Sequence, residues 1–470
     1  MTSSHNLAHA SQRAVSKLLD FIQARETARP VTDLEQFERD VRALLMEVER
    51  EVVAEALARL DVDVPVVTID GVQHQRVLRC EESYFGAAGE IRVMRSLYST
   101  RDEGTRTVCP LELRAGILEG RWTPLAAKQA IWAVAHLTPQ ESEELFRTMG
   151  GMRPSKSSLD RLPKLCGQRW EEERLHFEEQ MREGSPIPER AATVAISLDG
   201  VMLPMKDGAR AEKRARAAAI GRRVAGPAGY QEAGCGTISF LDAQGERLST
   251  IRIARMPESK KETLKWMLHD ELVDVLQRRP DLRLVKIADG ARDNWVFFRG
   301  LPKGSEIVDF YHAAEHLNSA LVAAYGEAST KGHAQFEKLR HLLRHDAKGV
   351  SKVITALRYL RARHPRREKI RTELKYFTGN RKRMGYASAA DRGLPIGSGV
   401  VEAACKTLVT QRMKRSGMRW RDAGGQAILT FRGLIQSERF DHGWQLLAGT
   451  YRKEVKLPGN AVEFRPRAVA

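Results

Sequence analysis

Cysteines and long apolar runs are scarce in this sequence, and their scarcity excludes several classes of protein. Its 470 residues include five cysteines, none of which forms a Cys-x-x-Cys pair. This usage argues against a disulfide framework or a zinc ribbon and predicts a reducing, cytoplasmic setting. No stretch approaches about 18 consecutive apolar residues, so we expect no transmembrane helix and no membrane partner. The N-terminal segment lacks a continuous apolar stretch after a basic start, so we expect no secretory signal.

Acidic residues are outnumbered by basic ones. The 60 Asp and Glu residues face 77 Lys and Arg residues, which gives a formal net charge of +17. Such a charge favours a polyanionic partner, most often nucleic acid, and a basic but indifferent surface is the alternative. The clustering of the cations favours a nucleic-acid partner, because residues 361–385 carry ten cations and two acids, and residues 406–421 carry six cations and no acid. We therefore expect DNA as the partner and a nucleoid-associated protein.

The region before residue 188 divides into three predicted modules. Residues 1–62 have the apolar spacing of a helical hairpin, and residues 63–120 have that of a small β-rich module. Residues 121–187 contain three predicted helices, which begin at Thr123-Pro124, at Thr138-Pro139 and near Ser155, and a charged linker helix, with a Gly-containing turn before the third helix. That pattern is typical of a helix-turn-helix DNA-binding module, and equally of an ordinary three-helix bundle. In the first case DNA contacts fall near the start of the third helix, at Ser155, Lys156, Ser157 and Arg161.

From residue 188 onwards, short apolar segments predict strands. They come as three consecutive strands, then a helix, a strand, a helix and a strand: ATVAISLD, GTISFLD, RLSTIRIAR, RLVKIAD and SEIVDFYH. This is the order of an RNase H-like fold. The predicted class is therefore α/β, with a mixed sheet core preceded by the mainly helical N-terminal region. We assign the core to residues 188–312 and 393–440, an all-α insertion to residues 313–392, and a C-terminal tail to residues 441–470.

Two aspartates carry the first prediction of chemistry. Asp199 and Asp289 each follow an apolar strand and each precede a glycine. In an RNase H-like sheet these two strands are neighbours, so their carboxylates would repel unless a cation lay between them. Hard carboxylate oxygens favour Mg²⁺ or Mn²⁺, and such a cluster can hold two ions for phosphodiester chemistry. A single Asp-Gly pair, by contrast, is usually only a turn.

A third acid would complete the set of metal ligands. Glu402 lies in the first turn of a predicted helix that starts near Val400, beyond the insertion. It is also the kind of acid that a helix dipole favours in any first turn. Three other acids are candidates for the same role, namely Asp293, Glu306 and Asp309. Asp309 is the strongest of these because it lies near the end of the fifth strand.

Histidine and basic residues add further candidates. His312, three residues after Asp309, could orient substrate or transfer a proton, or could be an ordinary buried histidine. Its helical partner His316 would suggest zinc, but no third ligand is evident. The basic segments could instead be solvated surface, or they could bind DNA, with cations on phosphates and a tryptophan on an unpaired base. The residues concerned are Arg381, Lys382, Arg383, Lys406, Arg412, Lys414, Arg415, Arg419 and Trp420.

Several long motifs resemble the ISKra family of bacterial insertion-sequence transposases. They are ADGARDNW, DFYHAAEHL and GLPIGSGVVEAACKTLVTQRMKRSGMRW followed by GGQAILTFR. The resemblance extends to YFTGNRKRM, CPLELRAGI and PSKSSLDRL, of which the last, in the helix-turn-helix region, is much less specific. The DFYH segment also resembles the D/C-x-x-H signature of the related Mutator-like transposases, at Asp309 and His312. The resemblance implies a DDE transposase with an RNase H-like core. Its catalytic acids would be Asp199, Asp289 and Glu402.

The implied reaction is Mg²⁺-dependent cleavage at transposon ends, followed by strand transfer into target DNA. The N-terminal region would recognise terminal inverted repeats, and a homo-oligomer would bring two ends together. Two alternatives remain. One is a non-catalytic, domesticated DNA-binding repressor, which needs no metal. The other is a structure-specific nuclease of the same fold, which would cut DNA without strand transfer.

Overall fold

A computed structural model describes residues 2–26, 31–100, 107–206, 208–223 and 229–458. The chain forms two compact units, one of Met1–Phe177 with Asp441–Ala470 and the other of Glu178–Phe440. The predicted C-terminal tail lies partly outside the described residues, which end at residue 458. In the part of the chain that is described, no helix is both long and apolar enough to cross a bilayer.

Helices dominate the chain by number. They are α1 (Thr2–Glu26), α2 (Leu34–Ala58), α3 (Pro110–Ala115), α4 (Pro124–His136), α5 (Pro139–Met149), α6 (Lys156–Glu172), α7 (Arg174–Gly184), α8 (Gly208–Ala219), α9 (Glu262–Arg278), α10 (Arg292–Gly300), α11 (Phe310–Tyr325), α12 (Thr330–His345), α13 (Gly349–Arg363), α14 (Glu368–Asn380), α15 (Tyr386–Asp391), α16 (Gly399–Ala404), α17 (Gln411–Met413), α18 (Asp422–Gln436) and α19 (Phe440–Gly449). A π-helical turn, Cys405–Thr410, connects α16 to α17.

The strands form two separate sheets. They are β1 (Val66–Ile69), β2 (Val72–Gly86), β3 (Gly89–Ser99), β4 (Thr193–Pro204), β5 (Tyr230–Leu241), β6 (Arg247–Arg255), β7 (Arg283–Ala288), β8 (Ser305–Val308) and β9 (Val455–Lys456). The first unit contains a four-stranded sheet in the order β3-β2-β1-β9, and the second contains a five-stranded sheet in the order β6-β5-β4-β7-β8.

Helix capping in the first unit follows the predicted signals. Thr123 and Thr138 cap α4 and α5 and each is followed by proline, while Ser155 caps α6. At α5 the cap is a complete capping box, because Glu141 also bonds back to the Thr138 backbone. Three helices thus begin where the sequence predicts. Their role as a helix-turn-helix module stays a prediction.

The sheet of the second unit is mixed. β4 pairs antiparallel with β5, which pairs antiparallel with β6, whereas β4, β7 and β8 run parallel. In order of appearance the strands lie 3-2-1-4-5 across the sheet. This α/β arrangement is compatible with the predicted RNase H-like core.

Two strand boundaries differ from the prediction. β4 does not end at Asp199 but continues to Pro204, because its antiparallel partner β5 begins earlier than predicted and pairs along its whole length. The parallel partner β7 pairs only as far as Ser197 with Ile287. β8 is shorter than predicted and ends at Val308, because Asp309 caps α11. Both differences leave an aspartate where parallel pairing stops.

One hydrophobic core joins the sheet of the second unit to its helices. Val194, Val285 and Val308 from the strands belong to the same buried cluster as Leu317 of α11 and Phe377 of α14. The residues predicted as an all-α insertion are helical, but they share this core with the sheet. Burying apolar surface from both sources in one cluster fixes α11 and α14 against the parallel strands.

Close packing of α9 on β5 depends on a glycine. A Cβ atom at Gly236 would lie 2.4 Å from Cδ1 of the fully buried Leu268. We expect Gly236→Ala to lower the free energy of unfolding by about 1–3 kcal/mol, since the added methyl overpacks the core. Urea denaturation measures the change.

Gly300→Ala is the matched control, because a Cβ there meets nothing within 4 Å. The expected loss for this variant is close to zero. Equal stabilities of the two variants would contradict the described packing of α9.

Candidate active site

Three aspartates align where the parallel strands of the second unit end. Ser197 of β4 pairs with Ile287 of β7, and Ala288 of β7 pairs with Val308 of β8. Continuing the same registers by one or two residues aligns Asp199 with Asp289 and Asp289 with Asp309. Neighbouring strands are about 4.8 Å apart. The sheet therefore sets three carboxyl-bearing residues side by side at one edge.

Asp199 is half-buried and lies beside the helix that follows the predicted insertion. Its Oδ1 accepts a hydrogen bond from the backbone N–H of Gly200, 2.7 Å away. Its Oδ2 lies 3.9 Å from Sγ of Cys405. Cys405 comes three residues after Glu402 in the same helical stretch, so this contact brings the Glu402 helix to the end of the parallel pairing of β4.

Asp289 also has a local structural role. Its Oδ1 accepts hydrogen bonds from the Ala291 backbone at 3.0 Å and from the Asn294 side chain at 2.9 Å, which shapes the start of α10. The indole of Trp295 donates to its carbonyl oxygen at 2.8 Å. The predicted turn role of this Asp-Gly pair is therefore present, and it occupies one carboxylate oxygen. No hydrogen bond to Oδ2 occurs among the described residues.

Asp309, His312 and Glu402 form the tightest group of potential metal ligands. In the part of the chain that the structure describes, theirs are the three ligand atoms that lie within 4.8 Å of one another. Nδ1 of His312 lies 3.4 Å from Oδ1 of Asp309 and 3.9 Å from Oε1 of Glu402. The fully buried Asp309 also accepts hydrogen bonds from the backbone of His312 and of Ser398. Ser398 Oγ donates to Glu402 at 3.1 Å, so one turn positions both acids.

The protonation of this group follows from its contacts. Burial would raise the pKa of Asp309, but hydrogen bonds from His312 and Ser398 outweigh it and hold that pKa below its usual value. The hydrogen bond and charge of Asp309 raise the pKa of His312 to about 9, although burial of the ring opposes this. Glu315 and Glu402 contribute further in the same direction. Without a metal ion, the pair therefore carries one negative and one positive charge at neutral pH, and an ion that binds Nδ1 would displace the proton.

The donor set fits a divalent cation. It offers two carboxylates and one imidazole, and Nδ1 of His312 is buried without a well-formed hydrogen bond among the described residues. The two carboxylate oxygens suit Mg²⁺ and Mn²⁺, whereas an imidazole nitrogen is more typical of Zn²⁺ or Fe²⁺ sites. A zinc pair of His312 with His316 has less support, because Nδ1 of His316 lies 2.6 Å from the buried carboxylate of Glu373.

The structure brings the predicted acids to one region by different routes. Glu402 lies in the close group, and Asp309, predicted as the rival third acid, lies there with it. Among the described residues, Asp199 and Asp289 do not belong to this group. Asp289 follows the strand next to Asp309, and Asp199 contacts Cys405 of the helical stretch that carries Glu402. His312 lies between Asp309 and Glu402, and its catalytic role stays a prediction.

Sequence reasoning missed two tyrosines near these acids. The hydroxyls of Tyr376 and Tyr386 are buried without a hydrogen-bond partner among the described residues. Burial, followed by the charges of Asp289 and Asp309, raises the pKa of Tyr376 above its usual range, so the hydroxyl stays protonated. A Cβ at Gly290 would lie 2.2 Å from the Tyr376 ring, so only glycine allows this approach. The spacing of Tyr376 from the acids in sequence gives no signal of it.

Arg432 of α18 was missed as well. Its buried guanidinium donates to the carbonyl of Leu408 at 2.9 Å and to that of Thr407, both in the π-helical turn. Burial lowers its pKa to about 10. π-Helical turns inside helices are frequent at functional sites. Arg432 thus supports the stretch that carries Glu402 and Cys405.

Three of the predicted DNA-binding residues in the second unit make contacts within the protein, and their DNA contacts stay a prediction. Arg383 lies 4.1 Å from the Trp295 ring and pairs with Glu306 at 2.7 Å, which braces the tryptophan that bonds Asp289. Arg412 is only 2% exposed and packs 5.4 Å from the Trp420 ring. Trp420 donates to the Met413 carbonyl at 2.8 Å, so its edge is occupied. The side chains that are exposed are Arg381, Lys382, Lys406, Lys414, Arg415 and Arg419.

The predicted DNA-binding residues of the first unit lie on the surface at the start of α6. The Ser155 side chain accepts from the Ser158 backbone as the helix cap, and the Lys156 backbone donates to Glu143. Ser157 and Arg161 are exposed. Their DNA contacts stay a prediction.

Comparison with known proteins adds little to this geometry. No protein-family profile matches the sequence, and no curated protein matches it. Among solved structures, the chain is similar to the Drosophila P element transposase strand transfer complex, with 13% identity and a TM-score of 0.25, over 70% of this chain and 81% of that one. A similarity this low establishes neither family nor activity, so function is inferred from the site.

Metal binding tests the close group directly. We expect His312→Gln to weaken Mn²⁺ binding by at least about tenfold, because perturbing a ligand set typically costs that much. The electron paramagnetic resonance signal of free Mn²⁺ during titration measures the affinity.

His316→Gln serves as the control, since this residue lies one turn away and pairs with Glu373 instead. Its Mn²⁺ affinity should match that of the wild type. Equal affinities for wild type and His312→Gln would contradict a metal centre at this group.

Proposed function

We propose that the chain is a DNA transposase that cleaves transposon ends and joins them to target DNA with Mg²⁺ or Mn²⁺. The observation that supports this proposal best is the alignment of Asp199, Asp289 and Asp309 across three parallel strands, with Glu402 at the adjoining helix. Several carboxylates at one sheet edge are what phosphodiester chemistry with divalent ions requires. The proposed catalytic acids are Asp199, Asp289 and Glu402.

The side chains around these acids have separable tasks. Asp199, Asp289 and Glu402 would hold the ions, with Asp309 and His312 beside Glu402. When bound, a divalent ion supplies a polarised phosphate and a more acidic attacking water or hydroxyl. Asp309 fixes the orientation of His312, whose imidazole would give up its proton and help to hold the ion. The protonated Tyr376 hydroxyl would donate a hydrogen bond to a phosphate oxygen.

The basic surface supports DNA as the substrate. In the second unit, the exposed cations follow Glu402 closely in sequence, at Lys406, Lys414 and Arg419. Guanidinium and ammonium groups bind phosphates with little dependence on sequence. In the first unit, the start of α6 would read terminal repeats. A homo-oligomer would bring two transposon ends together.

The proposal is tested by Glu402→Gln, which keeps the size of the side chain and removes its charge. We expect nicking and strand transfer on plasmid DNA with Mg²⁺ to fall at least about a hundredfold, because a charged ligand of the reacting centre is lost. DNA affinity should stay unchanged. Gel analysis of strand breaks and of joined products measures both steps.

Three outcomes separate the candidate functions. Loss of both steps in the variant supports the transposase. Wild-type cleavage without joining would favour a structure-specific nuclease instead. Wild-type DNA binding without any cleavage would favour the non-catalytic repressor and overturn the proposal.

Tyr376→Phe tests the proposed donor. We expect the cleavage rate to fall at least roughly tenfold, since a hydrogen bond to the reacting phosphate is removed. Mn²⁺ affinity should not change, because the hydroxyl is not a ligand. Tyr359→Phe is the control, because Tyr359 is 61% exposed and its hydroxyl accepts from Arg363. An unaltered rate in Tyr376→Phe would contradict the assignment.

A further inference from the structure

A second site lies in the first unit, in a cavity to which no function has been assigned above. A cavity of about 810 Å³ opens between α2, the β2–β3 hairpin and the turn that precedes α6. Four arginines line it, Arg50, Arg92, Arg121 and Arg153, against two glutamates, Glu51 and Glu90. Small-molecule sites of this size are mostly apolar with few charges. A lining with four guanidinium groups indicates an anionic ligand instead.

Two of these arginines are available to a ligand. Arg92 pairs with Glu90 at 3.3 Å, and Arg50 donates to the Ala88 carbonyl at 2.9 Å. Arg121 and Arg153 are exposed, and their side chains make no hydrogen bond or ion pair with the described residues. Guanidinium groups bind phosphate oxygens in a bidentate manner. The cavity thus has two spare phosphate-binding groups at its rim.

The inner wall of the cavity is apolar and preformed. Ala54, Tyr84 and Ile91 line it and are buried, with 1% to 5% of their surface exposed. The Met152 backbone donates to the Ala87 carbonyl at 3.1 Å, which ties the turn before α6 to the hairpin. An apolar wall below a guanidinium rim suits a sugar–phosphate backbone, because the sugar contacts carbon and the phosphate contacts the cations.

The position of the cavity favours duplex DNA over a free anion. Arg153 comes two residues before Ser155, the cap of α6, whose first turn holds the predicted DNA contacts. We propose that this arginine-lined cavity binds the phosphate backbone of the duplex that the start of α6 reads. The inference rests on the proposed function in one respect, that DNA is the ligand.

Salt dependence of DNA binding tests this site. The probe is a fluorescent duplex of arbitrary sequence, whose anisotropy is followed with the full-length chain over a range of salt concentrations. Each phosphate contact contributes about 0.9 to the slope of log affinity against log salt. We expect Arg121→Gln with Arg153→Gln to reduce the slope by about 1.8, and to weaken binding to every duplex alike.

The control removes the same charge elsewhere. Arg39→Gln with Arg59→Gln changes two exposed arginines of the same unit that pair with glutamates one turn away. This double variant should keep a slope near that of the wild type. Equal slopes for the two double variants would overturn the proposal. Urea denaturation confirms that all variants fold, as expected for exposed side chains.

Inorganic phosphate distinguishes the two sources of the anion. Calorimetric binding of phosphate that depends on Arg121 and Arg153, with duplex binding unaltered, would overturn the DNA assignment in favour of a small-anion site. The proposed function is tested apart from this by cleavage in the wild type. A reduced slope without wild-type cleavage would contradict the transposase proposal and support the cavity assignment. Wild-type cleavage with equal slopes would contradict the cavity assignment and leave the transposase proposal supported.

Discussion

The register of the parallel strands is the constraint on which the candidate site depends. It aligns Asp199, Asp289 and Asp309 along one edge of the sheet. Two carboxylates held one strand spacing apart would repel by roughly 3–4 kcal/mol at an effective dielectric constant of about 20. Such a row is stable only where donors or cations offset the repulsion. Part of the offset is built in, since Asp309 faces His312 and the Ser398 backbone.

Two helices pack beside this end of the parallel strands. α16 reaches it through two contacts three residues apart, Glu402 toward His312 and Cys405 toward Asp199. The π-helical turn that follows is held by the buried Arg432. α14 approaches from the other side, where Gly290 admits the Tyr376 ring. The protein thus surrounds a group of acids with fixed donors, an arrangement suited to cations and phosphates.

Sequence patterns predicted much of this fold, because the signals involved are local. Apolar runs located the strands of the second unit, and Thr-Pro and Ser caps located the starts of α4, α5 and α6. Strand ends were less predictable. β4 passes Asp199 because β5 keeps pairing with it, and β8 stops early because Asp309 caps a helix. Both outcomes depend on tertiary partners, which periodicity does not contain.

The candidate site was predictable in its acids and less so in its surroundings. Asp289 follows the end of β7 and Glu402 lies in the first turn of α16, whereas β4 continues past Asp199. Tyr376 and Arg432 are far from these acids in sequence, and only the fold brings them near. The packing of Arg383 and Arg412 against Trp295 and Trp420 was equally hard to predict from the basic segments. A cluster of basic residues in sequence predicts a basic surface. It does not indicate which of the basic side chains pack inside the protein.

The most direct measurement is anomalous diffraction from crystals grown with Mn²⁺. The account predicts an anomalous peak bound by at least two of the carboxylates of Asp199, Asp289, Asp309 and Glu402. An absence of Mn²⁺ at this edge at saturating concentration, with Asp289 bonded only to the start of α10, would contradict it.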